Sequence, residues 1–479
     1  MPQGVEPDWL SILPAAVTIV LAFATRQVIL SLFAGIACGG LVLASRTGDW
    51  EDLNLISRFL LPAIGSASFA QILIIYLWCL GGLVGMWGAT GGARHFAETV
   101  GGRIAKGPRS SLLFGWLVGV LFHQGGTVST VLAGTTVKPV TDRYRVSHEE
   151  LSYVVDSTAS PIATLIPFNA WPLYIAGLVV GTIPLIQTES EAYAFFIRSI
   201  PYNFYALLAV LSTLLLALGW LPWTGRRMRR ARERSRATGA LDAPDAEPMW
   251  IAEAEPEADS GQVEDAYRPS LADFLIPIGA LLSIAILPYL VAGTFRINEA
   301  FLAALLSAMI VARLRGMRLR RIMTAFVRGC QSMTIGAIVL ALAVTLKEVA
   351  GALDTAGFVV TLVGGALSYV ALPAILALIC MTIAFSTGTS WGTYAVVFPI
   401  AMPLAYALNP DPVYISVCFG TVLGGAVFGD QCSPISDTTI LSSMFTGCDL
   451  MDHVRTQLPL ALAAALLGIA ISTLIVLGA

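Results

Sequence analysis

Two polar runs interrupt otherwise apolar stretches of this sequence, and each places a carboxylate close to a proline. The runs are DSTASPI at residues 156–162 and GDQCSPISDTT at residues 429–439. Proline removes a backbone donor and clashes with the preceding turn, so carbonyls near it lose their helical partners. Freed carbonyls, together with hydroxyls and carboxylates, are oxygen ligands for Na⁺. The runs predict a site that binds Na⁺ and H⁺, formed by Asp156, Ser157, Thr158, Asp430 and Asp437.

The two aspartates of the second run, Asp430 and Asp437, are the predicted Na⁺ ligands, and one or both are expected to exchange Na⁺ for H⁺. An ionised aspartate near the centre of a bilayer costs roughly 3 kcal/mol or more, so it persists where it is compensated. The alternative interpretation is that these carboxylates cap broken helix ends and accept hydrogen bonds from Ser or Thr. No cofactor other than Na⁺ as the coupling ion is expected.

Two runs rich in Gly, Ser and Thr, HQGGTVST at residues 123–130 and STGTSWGT at residues 386–393, are a second candidate site. Glycine permits tight turns, and helix N-termini at such turns direct positive dipole ends at anionic groups. His123 is a candidate proton carrier, or else a structural hydrogen-bond donor. A packing seam of small residues is the alternative for both runs. The predicted substrate-binding residues are His123, Gln124, Thr127, Asn169, Thr387, Thr389 and Ser390.

The elements that carry these runs are predicted to be membrane helices. Hydrophobic residues make up 56% of the 479 positions and charged residues 12%, which excludes a soluble protein. Apolar blocks at 12–24, 28–44, 69–85, 204–221, 271–291 and 458–477 each approach the roughly 17 to 25 residues of a membrane-spanning helix. No Walker lysine, H-E-x-x-H or G-x-S-x-G motif is present, so we expect neither an enzyme nor a nucleic-acid partner.

Positive charge in short loops marks the cytoplasmic side of the inner (plasma) membrane. Basic residues cluster at 94–109, 138–145, 226–236 and 313–328, whereas 188–191 and 409–412 contain none. These charges predict five crossings and one re-entrant hairpin per half, with both termini outside. The expected crossings lie near 9–25, 28–45, 60–89, 150–186 and 201–222, then near 271–292, 298–312, 322–349, 413–447 and 456–478.

The two halves show a sparse internal repeat. A shift of 263 positions places Gly125 on Gly388 and Thr130 on Thr393, and the charges place the two hairpins on opposite membrane faces. The predicted fold class is therefore an all-α integral membrane protein with ten transmembrane helices plus two re-entrant hairpins, in a 5+5 inverted-repeat arrangement with broken helices. Its parts are an N-terminal repeat at 1–225 with a hairpin at 110–137, a disordered cytoplasmic linker at 226–268, and a C-terminal inverted repeat at 269–479 with a hairpin at 372–408.

Three runs of residues resemble the NhaC-type Na⁺/H⁺ antiporters of the ion-transporter superfamily. These are TRQVILSLFAGI at 25–36, GTSWGT at 388–393 and GDQCSPISDTTILSS at 429–443. The resemblance implies Na⁺-coupled exchange, for some relatives with carboxylates such as malate and lactate. It also implies homodimers and an elevator-like movement of the hairpin domain. Carried onto matching positions, it supports as site residues Asp430, Ser433, Asp437 and Thr438, with Thr387, Thr389 and Ser390 in the hairpin.

Two functions remain open at this point. The first is a Na⁺/H⁺ antiporter, and the second is a Na⁺-coupled transporter or exchanger of a small organic anion or amino acid. The paired hairpin tips favour an organic substrate. The absence of an arginine in the middle of a predicted crossing argues against a dicarboxylate, for which arginine is the usual clamp.

Overall fold

The protein is mainly helical in the part of the chain that the computed structural model describes. This part comprises residues 8–25, 28–65, 69–70, 73–123, 126–248, 267–292, 296–355, 358, 368–434 and 436–478. Within these ranges, β-structure is limited to an isolated antiparallel bridge between Ile183 and Ile186. The all-α expectation is confirmed.

The first half consists of helices joined by short turns. They are α1 (Leu13–Thr25), α2 (Val28–Thr47), α3 (Leu61–Ile64), α4 (Gly81–Thr90), α5 (Gly92–Ile104), α6 (Pro108–Leu121), α7 (Gly126–Arg143), α8 (His148–Ser157), α9 (Ser160–Ala163), α10 (Ala170–Val179), α11 (Glu189–Ser199) and α12 (Phe204–Leu218). Single turns of 3₁₀-helix lie at Trp9–Ile12, Trp50–Leu53 and Ile200–Tyr202, and π-helical turns at Ile56–Leu60 and Ile74–Leu80.

A basic helix, α13 (Arg226–Thr238), separates the two halves. The second half contains α14 (Ala272–Ala292), α15 (Ile297–Leu314), α16 (Leu319–Ser332), α17 (Thr334–Ala352), α18 (Leu372–Thr387), α19 (Ser390–Leu408), α20 (Pro412–Cys432), α21 (Asp437–Thr446) and α22 (Leu450–Gly478). Helix α20 lies at the centre of the largest core, and its residues from Tyr414 to Cys432 are all buried.

Two helix pairs coincide with the segments predicted as hairpins. Helices α6 and α7 contact each other and cover 108–143, and α18 and α19 do the same over 372–408. Gly388 ends α18 with a φ of +68°, a left-handed conformation that glycine adopts without a steric penalty. Their entry into the membrane from opposite faces stays a prediction.

Both polar runs are breaks between helices, as the prolines predict. In the first half, α8 ends at Ser157 and α10 begins at Ala170, with the four-residue helix α9 between them. In the second half, α20 ends at Cys432 and α21 begins at Asp437, and Pro434 lies in the gap. Residue 435 of this gap is outside the described ranges.

Four single helices within the described residues are long and apolar enough to cross a membrane. They are Ile29–Thr47, Ser390–Leu408, Pro412–Cys432 and Leu450–Gly478. Of the other predicted crossings, the one at 271–292 is covered by α14, whereas the segments 60–89, 150–186 and 322–349 each contain more than one helix. That the chain crosses the membrane ten times therefore stays a proposal.

The segment predicted to be a disordered linker at 226–268 differs from that expectation over 226–248. Residues Arg226–Thr238 form α13, and the chain continues in a described conformation to residue 248. The reason is that Met228, Ala231 and Ser235 form one face that is buried against the helical bundle. Residues 249–266 lie outside the described ranges.

Candidate functional site

The Asp430 carboxylate lies at the end of α20 and receives three hydroxyl hydrogen bonds. Its Oδ2 accepts from Ser160 Oγ and Ser390 Oγ, each at 2.9 Å. Its Oδ1 accepts from Ser436 Oγ at 2.8 Å. The side chain is 3% exposed, so its charge is stabilised by these donors rather than by bulk water.

These hydroxyls come from the starts of different helices. Ser160 and Ser390 are the first residues of α9 and α19, and Ser436 is the N-cap of α21. The N-terminus of a helix carries unpaired N–H groups and the positive end of its dipole, which stabilise a nearby anion. The negative charge of Asp430 is thus placed among helix starts from both halves of the chain.

The tip of the first hairpin packs against the same place. Gly126 begins α7, and a Cβ atom on it would lie 2.5 Å from Thr438 Cγ2 and 2.8 Å from Ser160 Oγ. The Thr438 hydroxyl in turn lies 3.1 Å from Ser436 Oγ. A side chain larger than glycine does not fit without displacing the tip, so both hairpins meet at the Asp430 site.

A second buried carboxylate, Asp156, lies near the end of α8. Its Oδ2 accepts hydrogen bonds from His453 Nε2 and Gln457 Nε2, both at 3.0 Å. All three side chains are fully buried. Within the described residues, Asp156 Oδ1, His453 Nδ1 and Gln457 Oε1 make no hydrogen bond.

Gln431 joins the two carboxylates. Gln457 Nε2, which donates to Asp156, also donates to the Gln431 backbone carbonyl at 2.6 Å. The Gln431 side chain donates to Ser157 Oγ at 2.6 Å and accepts from the Tyr205 hydroxyl at 2.6 Å. Gln431 follows Asp430 directly, so the two breaks converge, as the sequence predicted.

Several other predicted site residues make local hydrogen bonds instead. The hydroxyls of Thr158 and Thr387 donate to carbonyls of the preceding turn, Val154 at 2.7 Å and Ile383 at 2.8 Å. The Asn169 side chain caps α10 by accepting from Trp171 N at 2.8 Å. Such bonds explain the polar residue at each position without a ligand.

Two further predicted residues join the second hairpin to its surroundings. Ser433 Oγ donates to the Phe385 carbonyl at 2.7 Å, which holds the break after α20 against α18. Thr389 is the N-cap of α19, and its Oγ1 accepts from Gly392 N at 3.5 Å.

The remaining predictions concern the first hairpin tip and the start of α21. His123 is buried, and its Nδ1 lies 3.0 Å from the Val120 carbonyl. Gln124 lies outside the described residues, as do the side chains of Thr127 and Asp437. Their predicted roles in substrate binding and Na⁺ binding stay predictions.

Sequence reasoning missed four polar partners in these two clusters: Ser160, Ser436, His453 and Gln457. The serines lie inside the two runs already selected, one in each. The signal for the other pair was a histidine and a glutamine four positions apart at the start of an apolar helix, which places them on one helix face.

Comparison with known proteins gives a family match over residues 162–478, which match the model described as Na⁺/H⁺ antiporter family. An uncharacterized protein of Haemophilus influenzae is 32% identical over 485 residues, which covers 95% of this chain and 88% of the relative. The malate-2H⁺/Na⁺-lactate antiporter of Bacillus subtilis is 28% identical over 206 residues, 42% of each chain. The Na⁺/H⁺ antiporter NhaC of Alkalihalophilus pseudofirmus is 41% identical over 78 residues, 16% of each chain.

Two solved transporter structures share the fold. The YdaH transporter of Alcanivorax borkumensis aligns with a TM-score of 0.60 at 14% identity, over 96% of this chain and 98% of its own. MtrF of Neisseria gonorrhoeae, described as illuminating a class of antimetabolite efflux pumps, aligns with a TM-score of 0.51 at 14% identity, over 86% and 84%. At this identity the likeness concerns the fold alone.

Proposed function

The chain belongs to the Na⁺/H⁺ antiporter family, and from that premise we propose that it exchanges Na⁺ for H⁺ at Asp430. The resemblance stated from the sequence is thereby confirmed, and the chain is a multi-pass membrane transporter rather than an enzyme. The observation that carries the proposal is the Asp430 carboxylate, buried where both hairpin tips and both helix breaks meet.

The chemistry of the proposal lies in the three serine hydroxyls. A hydroxyl group is a donor and also carries two acceptor lone pairs, and its hydrogen can rotate. When Na⁺ enters, Ser160, Ser390 and Ser436 turn their oxygens toward the ion, and Asp430 supplies the compensating charge. When H⁺ replaces Na⁺, the proton binds the carboxylate directly. One site then holds one positive charge in either case, so the two ions exclude each other.

We assign a different role to Asp156. It faces an imidazole and an amide rather than rotating hydroxyls. We propose that the pair of Asp156 and His453 positions the first break beside Asp430 and does not itself hold the exchanged ion. Gln457 and Gln431 connect the pair to the chain beside Asp430.

The proposed topology follows the sequence analysis. Five crossings and a re-entrant hairpin per half, in inverted orientation in the inner membrane, agree with the helix bounds at both hairpins and both breaks. In this proposal α13 and the segment after it face the cytoplasm, because seven arginines lie between 226 and 236. The domain division at 226–268 and a homodimer are parts of the same proposal.

Purified protein in liposomes provides the test. We expect an imposed Na⁺ gradient to move protons with no organic solute present, and Asp430→Asn to abolish this movement. Asp411→Asn is the matched control, since Asp411 caps the other end of the same helix and asparagine caps as well. Wild-type protein that moves no protons under these conditions would contradict the proposal.

A second candidate is Na⁺-coupled exchange of a small organic anion. The specific observation in its favour is that α19 and α21 both begin at the Asp430 site, where their dipoles would stabilise an additional carboxylate. The name of the Bacillus subtilis relative includes malate and lactate. Uptake of labelled malate or lactate that requires Na⁺, with no proton flux in the absence of either anion, would support this candidate instead.

A further inference from the structure

The basic helix α13 is fixed to the helical bundle by its inner face. Met228 and Ala231 are buried there. Met228 belongs to a core cluster that includes Leu112 of α6, Tyr153 of α8 and Leu460 of α22. The helix is therefore packed on several neighbours rather than attached through its ends.

Three arginines on the inner side of α13 pair with carboxylates at the start of α8. Arg234 Nη2 donates to both oxygens of Glu149 at 2.9 Å. Glu150 lies 2.9 Å from Arg232 and 3.2 Å from Arg236. Both glutamates are buried, and a buried charge that loses its partner is strongly destabilising, so these pairs fix the rotation of α13.

The outer side of α13 carries a second set of arginines. Arg226, Arg227 and Arg230 are exposed and have no ion-pair or hydrogen-bond partner within the described residues. Two exposed indoles precede them, Trp220 at 70% and Trp223 at 54% exposure. Exposed arginines that follow exposed tryptophans closely in sequence are typical of the cytoplasmic membrane interface.

We propose that this outer face, defined as Arg226, Arg227 and Arg230 with Trp220 and Trp223, binds the headgroups of anionic phospholipids in the cytoplasmic leaflet. The apolar helix α12 ends at Leu218, only a few residues before α13. Tryptophan is enriched at the headgroup level of membranes. Guanidinium groups bind phosphate through two parallel hydrogen bonds, and basic residues close to a membrane span attract anionic lipid.

The bound lipid would act on the helix that carries Asp156. Glu149 and Glu150 belong to α8, which includes Asp156 and ends at Ser157. A headgroup held on the outer face would add to the inner-face contacts by which α13 holds the start of α8. The inference rests on the proposed topology but not on the identity of the transported ion, so either can fail without the other.

The test measures lipid retention and needs no transport. The full chain in detergent receives equal amounts of phosphatidylglycerol and phosphatidylcholine with the same acyl chains, and native mass spectrometry counts the lipids retained. We expect the wild type to prefer phosphatidylglycerol. The triple variant Arg226→Gln, Arg227→Gln, Arg230→Gln should lose roughly tenfold or more of this preference. The matched triple variant with lysine at the same positions should keep most of it, because the charge is retained.

Two results would overturn the inference. One is an equal preference in the wild type and the glutamine variant. The other is a preference that appears only when Glu253, Glu255, Glu257 and Asp259 are neutralised, because the chain's own acidic segment would then be the partner of these arginines. Loss of the preference in millimolar inorganic phosphate, with phosphatidylcholine retention unchanged, would support a phosphate-binding surface.

Discussion

Asp430 and Asp156 are both buried carboxylates beside a helix break, yet their neighbours differ in kind. Asp430 is surrounded by serine hydroxyls, which can donate or accept as their hydrogens rotate. Asp156 is held by an imidazole and an amide, whose donors point in fixed directions. In the proposed function, the hydroxyls at the Asp430 break accommodate a change from Na⁺ to H⁺, whereas the Asp156 break is formed around one fixed pair of donors.

The largest expected effect is on stability and concerns the Asp156 side of this comparison. His453→Ala leaves Asp156 without its imidazole, and breaking a buried pair in this way costs about 3 kcal/mol of unfolding free energy. Thermal unfolding in detergent measures the loss. His453→Gln should recover part of it, because its amide can donate to Asp156. Equal stability of His453→Ala and the control His95→Ala would mean that the pair of Asp156 and His453 contributes nothing to the free energy of unfolding.

Replacement of one serine hydroxyl that contacts Asp430 should weaken Na⁺ binding more than it lowers the stability of the protein. Loss of a side chain that holds a ligating carboxylate typically lowers metal affinity by about 10- to 100-fold, so Ser390→Ala should raise the KM for Na⁺ by roughly tenfold or more. Ser416→Ala is the control, since its buried hydroxyl donates to the Pro412 carbonyl of its own helix. An unchanged KM in Ser390→Ala would remove this serine from the site.

The close packing of the first hairpin tip against the Asp430 site can be tested at Gly126. A Cβ atom there would lie 2.5 Å from Thr438 Cγ2, and overpacking of this kind costs about 1 to 3 kcal/mol. Gly126→Ala should therefore slow Na⁺-driven proton movement several-fold. Gly88→Ala is the control, because no atom lies within 4 Å of its added Cβ. If both variants transport equally, the tip does not need to close on the site.

The last prediction concerns the effect of pH on local opening of residues 239–248, which lie against the start of α8, rather than on transport. Burial opposes protonation of His148, but its hydrogen bonds to Asp142 and Asp242 prevail and raise its pKa from 6.5 to about 9, while Lys138 acts against them. Protonated His148 holds Asp242 and so stabilises the packing of residues 239–248 against α8. Because the pKa is raised on folding, this stabilisation is complete below pH 6.5 and is lost as the pH rises through about 9. Proteolysis within 239–248 should thus become faster between these values.

His148→Gln provides the check on this last prediction. Glutamine does not become protonated in this pH range. The rate of proteolysis of the variant should therefore be high both at pH 6.5 and at pH 9, after correction for the pH dependence of the protease itself. His148 begins α8, the helix that carries Asp156, so this prediction concerns the Asp156 side of the molecule. An identical pH dependence in the variant would exclude His148 as its cause.

The helices and breaks of this fold were predictable, whereas the partners across the site were not. Proline and polar residues within apolar blocks located both breaks, because these residues disturb a helix locally. The contact between Ser160 and Asp430 joins positions 270 apart, and no local pattern encodes it. His453 was overlooked because it precedes the apolar block at 458–477 and lies outside the crossing predicted at 456–478.

The order of α13 was missed for a related reason. Its seven arginines suggested a solvated linker, but Met228, Ala231 and Ser235 recur at helical spacing and form a buried face. The partners Glu149 and Glu150 lie 85 and 86 residues away from Arg234 and Arg236. Charge composition alone could not distinguish paired arginines from exposed ones.

The most direct test of the account is ²²Na⁺ counterflow in liposomes with equal Na⁺ on both sides, since Na⁺ for Na⁺ exchange requires no proton movement. Asp430→Asn should abolish counterflow, because the Na⁺ site loses its charge. A folded Asp156→Asn variant should retain it. Counterflow that persists in Asp430→Asn and disappears in Asp156→Asn would contradict the assignment of Na⁺ to Asp430.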